Sequence, residues 1–293
     1  MTARSIAGCP AALLAAVLIT ASASADTIWM YDFGQTTGVF TSGESTSFLP
    51  APPADGGTAR VRVGTGGGQF ALVNPGSGSV LEATAPSSTS VNKFSIDGFA
   101  GTELFTLDMS LEFTGGASGS WYLLAGNGGS FANNNSFATA ETFAGLRWNF
   151  GSEGSLATTR LSSSGSWLTT NVPLLVQDTA YQLTIYGNNS AAAVAYAGGT
   201  LAANSWDLWV DGSLAHSGLA KAGLPDGTSI DAFMFNGLNS TGNVATLTVD
   251  SLAYANHPVP EPGLQAVLGA LILAGAVPAR ACRRNRRGRP RPA

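Results

Sequence analysis

The sequence predicts an all-β fold: one antiparallel β-sandwich, carried between two short apolar ends. Three observations predict it. Apolar and polar residues alternate with period two in several stretches between residues 26 and 258, the signature of strands with one buried face. Clusters of Gly, Ser and Asn separate those stretches, such as Gly64 to Gly68, Gly126 to Gly129 and Ser162 to Gly165, and such clusters are turn signals. Charged residues make up only 11% of the chain, whereas 44% are hydrophobic, so a core can form on a body with few solvated charges.

The strands follow in order. "TARVRVGT" sets Val61 and Val63 against Arg60 and Arg62. "ELFTLDMSLEFTGG" is the clearest: Phe105, Leu107, Met109, Leu111 and Phe113 share one side, and Thr106, Asp108, Ser110 and Glu112 share the other. "GLRWNFG" sets Leu146, Trp148 and Phe150 against Arg147 and Asn149. "AYQLTIYGN" groups Tyr181, Leu183 and Ile185. "SWDLWVDGS" groups Trp206, Leu208 and Val210 and turns at Asp211-Gly212, a hairpin dipeptide. "VATLTVDSLAY" is the last strand. No helical periodicity of useful length and no fixed repeat interrupts the series, so a solenoid or propeller is not expected.

The N-terminus, "MTARSIAGCPAALLAAVLITASASADT", has a basic start at Arg4, an apolar run and the small-x-small pair Ala23 and Ala25. That order predicts a signal helix over residues 1–25, cleaved before Asp26. Cys9 precedes the apolar run, so a lipidated cysteine is not expected. At the other end, residues 263–279 are mostly apolar and mark a single short transmembrane helix at the lower limit of a spanning length. Its strong apolar residues contribute roughly −0.3 to −0.6 kcal/mol each, about −2 to −4 kcal/mol together, a marginal anchor. Arg280, Arg283, Arg284, Arg286 and Arg287 follow in the tail 280–293. They hold that side cytoplasmic and place the body outside.

Val259-Pro260-Glu261-Pro262, then the apolar run, then the arginine cluster resembles the PEP-CTERM sorting signal of Gram-negative bacteria. The resemblance implies an exosortase as partner, processing near residues 259–262, and an envelope or extracellular destination with transient membrane anchoring. The domain reading is therefore 1–25, 26–258 and 259–293. Such proteins tend to accompany exopolysaccharide, which the resemblance makes a candidate partner. From Tyr181 to Asn256 the body is also similar to concanavalin A-like, laminin-G-type jelly rolls, through "SWDLWVDGS" and the closing "TVDSLAYAN".

The body carries six Lys/Arg against seventeen Asp/Glu, a net −11. Phosphate contacts need basic groups, so a nucleic-acid partner is not expected. Both cysteines, Cys9 and Cys282, lie outside the body, so no disulfide or thiolate chemistry is expected within it. His216 and His257 are its two histidines, too few for a histidine metal cluster and in no context that suggests a Ser-His-Asp triad. Among the acids, Glu103, Asp108 and Glu112 come nearest to a glycosidase constellation. They read as the solvent face of a strand, and the protein is expected not to be an enzyme. The alternatives are a polysaccharide hydrolase or lyase on the same scaffold, and a passive structural or adhesive protein. For glycan contact the candidates are Trp209, on the face opposite Trp206, with Asp207 and Asp211; Trp121, Tyr122 and Trp167 follow. No cofactor is expected; Ca2+ is the one metal the jelly-roll resemblance admits, held by Asp207 and Asp211 or by backbone carbonyls near the N-terminal strand. Asn134 and Asn188 head Asn-x-Ser sequons, which a bacterial host would ordinarily leave unmodified.

Overall fold

The computed structural model describes residues 28–40, 43–46, 48–53, 56–76, 78–132, 136–170, 175–196 and 198–257. The signal-peptide residues Ala23 and Ala25, the sorting residues Val259 to Pro262, the transmembrane stretch and the arginine tail lie outside the described residues, as does the first sequon residue Asn134. Among the described residues no helix is long and apolar enough to cross a membrane.

In chain order the elements are β1 (Ile28–Tyr31), β2 (Gly38–Phe40), β3 (Gly43–Ser45), β4 (Thr58–Val63), β5 (Gln69–Val73), β6 (Val80–Thr84), β7 (Asn92–Thr102), β8 (Leu104–Thr114) and β9 (Ser120–Gly126). A four-residue helix, α1 (Gly129–Ala132), follows. Then come β10 (Thr142–Phe150), β11 (Leu156–Leu161), β12 (Trp167–Thr169), β13 (Ala180–Asn188), β14 (Val194–Tyr196), β15 (Gly199–Leu201), β16 (Ser205–Val210), β17 (Ser213–Ala220), β18 (Ile230–Leu238) and β19 (Thr246–Ala255).

They form two large sheets, and the strand pairs are antiparallel. The first sheet runs β17-β16-β13-β8-β19-β6-β5-β2, with β1 also on β19. The second runs β12-β11-β10-β9-β18-β7-β4-β3. β14 and β15 make a separate two-stranded ribbon. In the first sheet β19 carries β8 along one edge; along the other it carries β6 at its start and β1 at its end.

Between the sheets lies one continuous apolar core. The side of β8 predicted to be buried is buried throughout, Phe105 to Phe113 at 0 to 2% exposure. Aromatic rings from both sheets interlock. Phe113 of β8 meets Trp148 of β10 at 4.8 Å, and Phe105 meets Phe143 edge-on at 5.6 Å. Trp29 stacks on Tyr254 at 5.8 Å and meets Phe99 edge-on at 5.4 Å. Edge-to-face and offset pairs of this kind add about 0.5–1.5 kcal/mol each beyond burial. In β19 a register shift between Val249 and Ser251 changes the phase, so Leu247 and Val249 are buried before it and Leu252 and Tyr254 after it. A bulge does this by adding one residue to one strand.

Phe105→Ala is expected to cost about 3–5 kcal/mol, because the ring is fully buried and the surrounding sheets cannot collapse onto the void; a lower denaturant midpoint at unchanged slope would show it. Tyr254 supplies a pH limb. Its hydroxyl donates to the Ile230 carbonyl at 3.0 Å and accepts from the Thr102 amide at 3.3 Å. Burial, with Asp231 adding and the Thr102 bonds offsetting part, pushes it up to about 12. The unfolded phenol ionises near pH 10, so the folded state holds the extra proton between the two values. Stability is full below about pH 10 and falls by roughly 2–3 kcal/mol as pH rises through about 12. Tyr254→Phe should flatten that share of the alkaline limb in pH-dependent unfolding.

Candidate functional site

The residues predicted for glycan contact divide on inspection. Trp206, Leu208 and Val210 of β16 face the core, and Asp207 and Trp209 face outward. The β14–β15 ribbon folds over them. Tyr196 meets Tyr186 at 4.7 Å and Trp209 edge-on at 6.4 Å. The Tyr196 hydroxyl donates to Asp207 Oδ2 at 2.5 Å and accepts from Trp209 Nε1 at 3.2 Å. Asp207 Oδ1 accepts the Gly218 amide at 2.6 Å. Burial, followed by the hydrogen bond to Asp207, holds the Tyr196 hydroxyl well above the ordinary tyrosine range. The ribbon sits so close that a Cβ at Gly198 would lie 2.4 Å from the Trp209 ring. Asp207, 3% exposed, thus binds the ribbon to the sheet.

Asp211 begins the β16–β17 turn with φ 49°, and Gly212 follows at 70°, the two positive values a type I′ hairpin requires. Its carboxylate accepts the Gln182 amide at 2.9 Å. Asp207 has both carboxylate oxygens engaged, by Tyr196 and by the Gly218 amide, and Asp211, in the turn beyond the strand, accepts the Gln182 amide, so the two are committed within the fold rather than converging on one Ca2+.

Asp108 and Glu112 stand on the outer face of the first sheet. Asp108 Oδ1 accepts from Gln182 Nε2 at 2.6 Å and Thr184 Oγ1 at 2.9 Å. Four residues along one strand separate the pair by about 13 Å, beyond the roughly 5–9.5 Å of a glycosidase pair. Cross-strand register instead sets Glu82 and Glu112 on either side of Thr248, two strand spacings or about 10 Å apart at the backbone. Glu103 lines a cleft of about 340 Å³ with Thr102, Ser190, Ser229 and Asn256, where it is the one carboxylate among the lining residues. His216 lies on edge strand β17 opposite Leu208, and His257 follows β19. Asn188 is buried, its amide donating to the carbonyls of Ala192, Leu201 and Ala202. It is a structural residue, inaccessible to a glycan.

The outer face of the second sheet is different. Four of the body's six cations, Arg60, Arg62, Lys93 and Arg147, stand there. Register lines up Thr159, Arg147, Tyr122, Asn236, Lys93 and Arg62 as one row across five pairings. The segment between β9 and β10 folds back over this face. Phe131 is fully buried among Tyr122, Leu124 and Met234, and Lys93 Nζ, also buried, donates to the Ser130 carbonyl at 2.9 Å. Glu141 holds the segment by accepting the Ser130 amide at 2.8 Å. Gly145 permits the packing: a Cβ there would lie 2.9 Å from both Leu124 and Leu161.

At the margin of that covered patch Tyr122, Phe137 and Trp167 converge. Tyr122 and Trp167 meet edge-on at 5.1 Å, and Phe137 lies 6.1 Å from Trp167. The Arg147 guanidinium sits 5.0 Å from the Trp167 ring and 5.9 Å from Tyr122, inside cation–π range. Its Nε donates to Thr159 Oγ1 at 3.2 Å. Arg147 and Trp167 are both half-buried. A ring with a fixed cation beside it presents an apolar surface and hydrogen-bond donors together, the pairing used by sites for polar ligands with an apolar face. Of the sequence candidates, Tyr122 and Trp167 come together here. Trp121 does not: it is fully buried, with Nε1 donating to the Ala245 carbonyl at 3.1 Å. Arg147, Thr159 and Phe137 were not foreseen. The alternation of "GLRWNFG" places Arg147 outward, but only non-local pairing shows what it meets.

Asp207→Ala should release the ribbon, leaving the Tyr196 hydroxyl and Gly218 amide without their acceptor. The expected cost is about 1–3 kcal/mol, together with a red shift of tryptophan emission as Trp209 becomes wetter.

No family model matches this chain, and no curated protein matches it. Among solved structures it is similar to the binding domain of botulinum neurotoxin DC in complex with SialylT, at 11% identity and a TM-score of 0.46, over 84% of this chain and 51% of that one. It is similar to the Emp47p carbohydrate recognition domain at 11% identity and a TM-score of 0.42, over 71% of this chain and 91% of that one. It is similar also to the GH43 protein BlXynB from Bacillus licheniformis at 13% identity and a TM-score of 0.46, over 78% of this chain and 39% of that one. The chain spans about half the length of the toxin binding domains it matches.

Proposed function

We propose that this chain is a secreted, exosortase-processed envelope or matrix protein whose concanavalin A-like jelly roll binds exopolysaccharide and performs no catalysis. The two ends support export and sorting: a cleavable apolar leader, then Val259 to Pro262, a marginal span and an arginine cluster. The observation that carries binding is the half-buried Trp167 ring packed against Tyr122 at 5.1 Å, with the Arg147 guanidinium over one of its faces at 5.0 Å. An aromatic face carries partial negative charge, which suits the C–H face of a sugar, and the adjacent donors suit its oxygens. Among the described residues the Glu82–Glu112 pair, about 10 Å apart at the backbone, comes nearest to the spacing of a glycosidase pair, and it stands on the opposite sheet.

The test is polysaccharide binding by the purified full chain. Trp167→Ala should weaken binding at least tenfold, about 1.4 kcal/mol. Trp209→Phe should leave it unchanged, and no reducing ends should accumulate. Equal binding by the Trp167→Ala protein, or reducing ends lost on Glu82→Gln, would reverse the reading. Intact mass of the protein from producing cells should show loss of residues 1–25 and of the segment beyond Pro262. A full-length cytosolic chain would remove the sorting half.

A further inference from the structure

We propose that the polysaccharide held at Trp167 is an acidic one, and that the Arg147 guanidinium pairs with a sugar carboxylate. This deepens the binding reading above and rests on it. Arg147 is held differently from three of the body's other cations. Arg60 is paired with Asp97 at 2.9 Å, Lys221 is paired with Asp226, and Lys93 is covered and bonded to Ser130. Arg147 has one donor, Nε, committed to Thr159, and its flanks rest on two rings. Among the described residues its two Nη groups have no hydrogen-bond or carboxylate partner.

The geometry suits a carboxylate. The Thr159 bond and the two rings fix the guanidinium plane, so the remaining fork is pre-organised for bidentate binding. The residues that pair in register around Arg147, namely Thr159, Tyr122 and Asn236, include no acid. Glu82, Asp108, Glu112 and Asp207 belong to the other sheet; on this one Asp97 is paired with Arg60, and Glu141 accepts the Ser130 amide. At physiological salt charges are screened over about 8 Å, so the net −11 of the body acts weakly on a ligand at this face. The cation beside the ring decides which sugar is preferred.

The experiment compares three hexuronate polymers, polygalacturonate, alginate and a glucuronan, with their carboxyl-reduced counterparts. Reduction turns each carboxylate into a neutral hydroxymethyl group and leaves the sugar ring. The full chain should bind at least one acidic polymer ten times more tightly than its reduced form, with affinity falling as salt rises. Arg147→Gln should remove that difference. Arg147→Lys should restore only part of it, since an ammonium cannot form the fork. Thr159→Val, which frees the guanidinium plane without removing the charge, should give an intermediate loss; melting curves confirm that each variant folds. Equal binding of acidic and reduced polymers, abolished by Trp167→Ala, overturns the acidic assignment and keeps the sugar-binding reading. Silence from all six polymers overturns the assignment too; binding of neutral glycans by the same preparation would then preserve the sugar-binding reading alone.

Discussion

The register of β9, β10 and β11 is the constraint on which the candidate site depends. Pairing Arg147 with Tyr122 on one side and Thr159 on the other places a cation, a ring and a hydroxyl in one row. Pairing Leu161 with Trp167 adds the second ring one step along. A slip of one residue would turn every member of that row to the opposite face. What prevents the slip is the core itself: Trp121, Leu123, Leu146 and Trp148 are all at or below 1% exposure, and a shifted strand would carry them into water.

The two sheets share a core but differ outside. The first sheet's outer face carries carboxylates with hydroxyl and amide partners, and the β14–β15 ribbon over one corner. The second sheet's outer face carries most of the body's cations and a second, smaller apolar cluster. The even-looking acidity of the sequence therefore conceals a charge separation across the thickness of the sandwich. Local field at a surface follows that arrangement more than it follows net charge.

Strands with one wet face were readable from the sequence. β4 and β8 alternate because half of each meets solvent, and β10 and β16 alternate in residue type although their outer residues are largely covered. β9 and β18 do not: nearly every residue in them is buried, because the segment after β9 covers the outside of the sheet. Period two disappears when both faces are dry, so no phase distinguished Trp121 from Tyr122. In β19 the bulge broke the phase in mid-strand. For the site, composition named Tyr122 and Trp167 but also favoured Trp209, whose covering by Tyr196 depends on a ribbon that pairs only with itself. Arg147 looked like an ordinary outward residue. Its meaning comes from Trp167, twenty positions away in the chain and two strands away in the sheet.

Trp121 and Tyr122 are joined by one peptide bond yet point to opposite sides of β9. The first is locked to the Ala245 carbonyl inside the sandwich; the second forms the floor beneath Arg147. A molecule settling on that floor meets a backbone already immobilised from behind. Nearly all the motional freedom surrendered on contact would then be the visitor's own, and little of the host's.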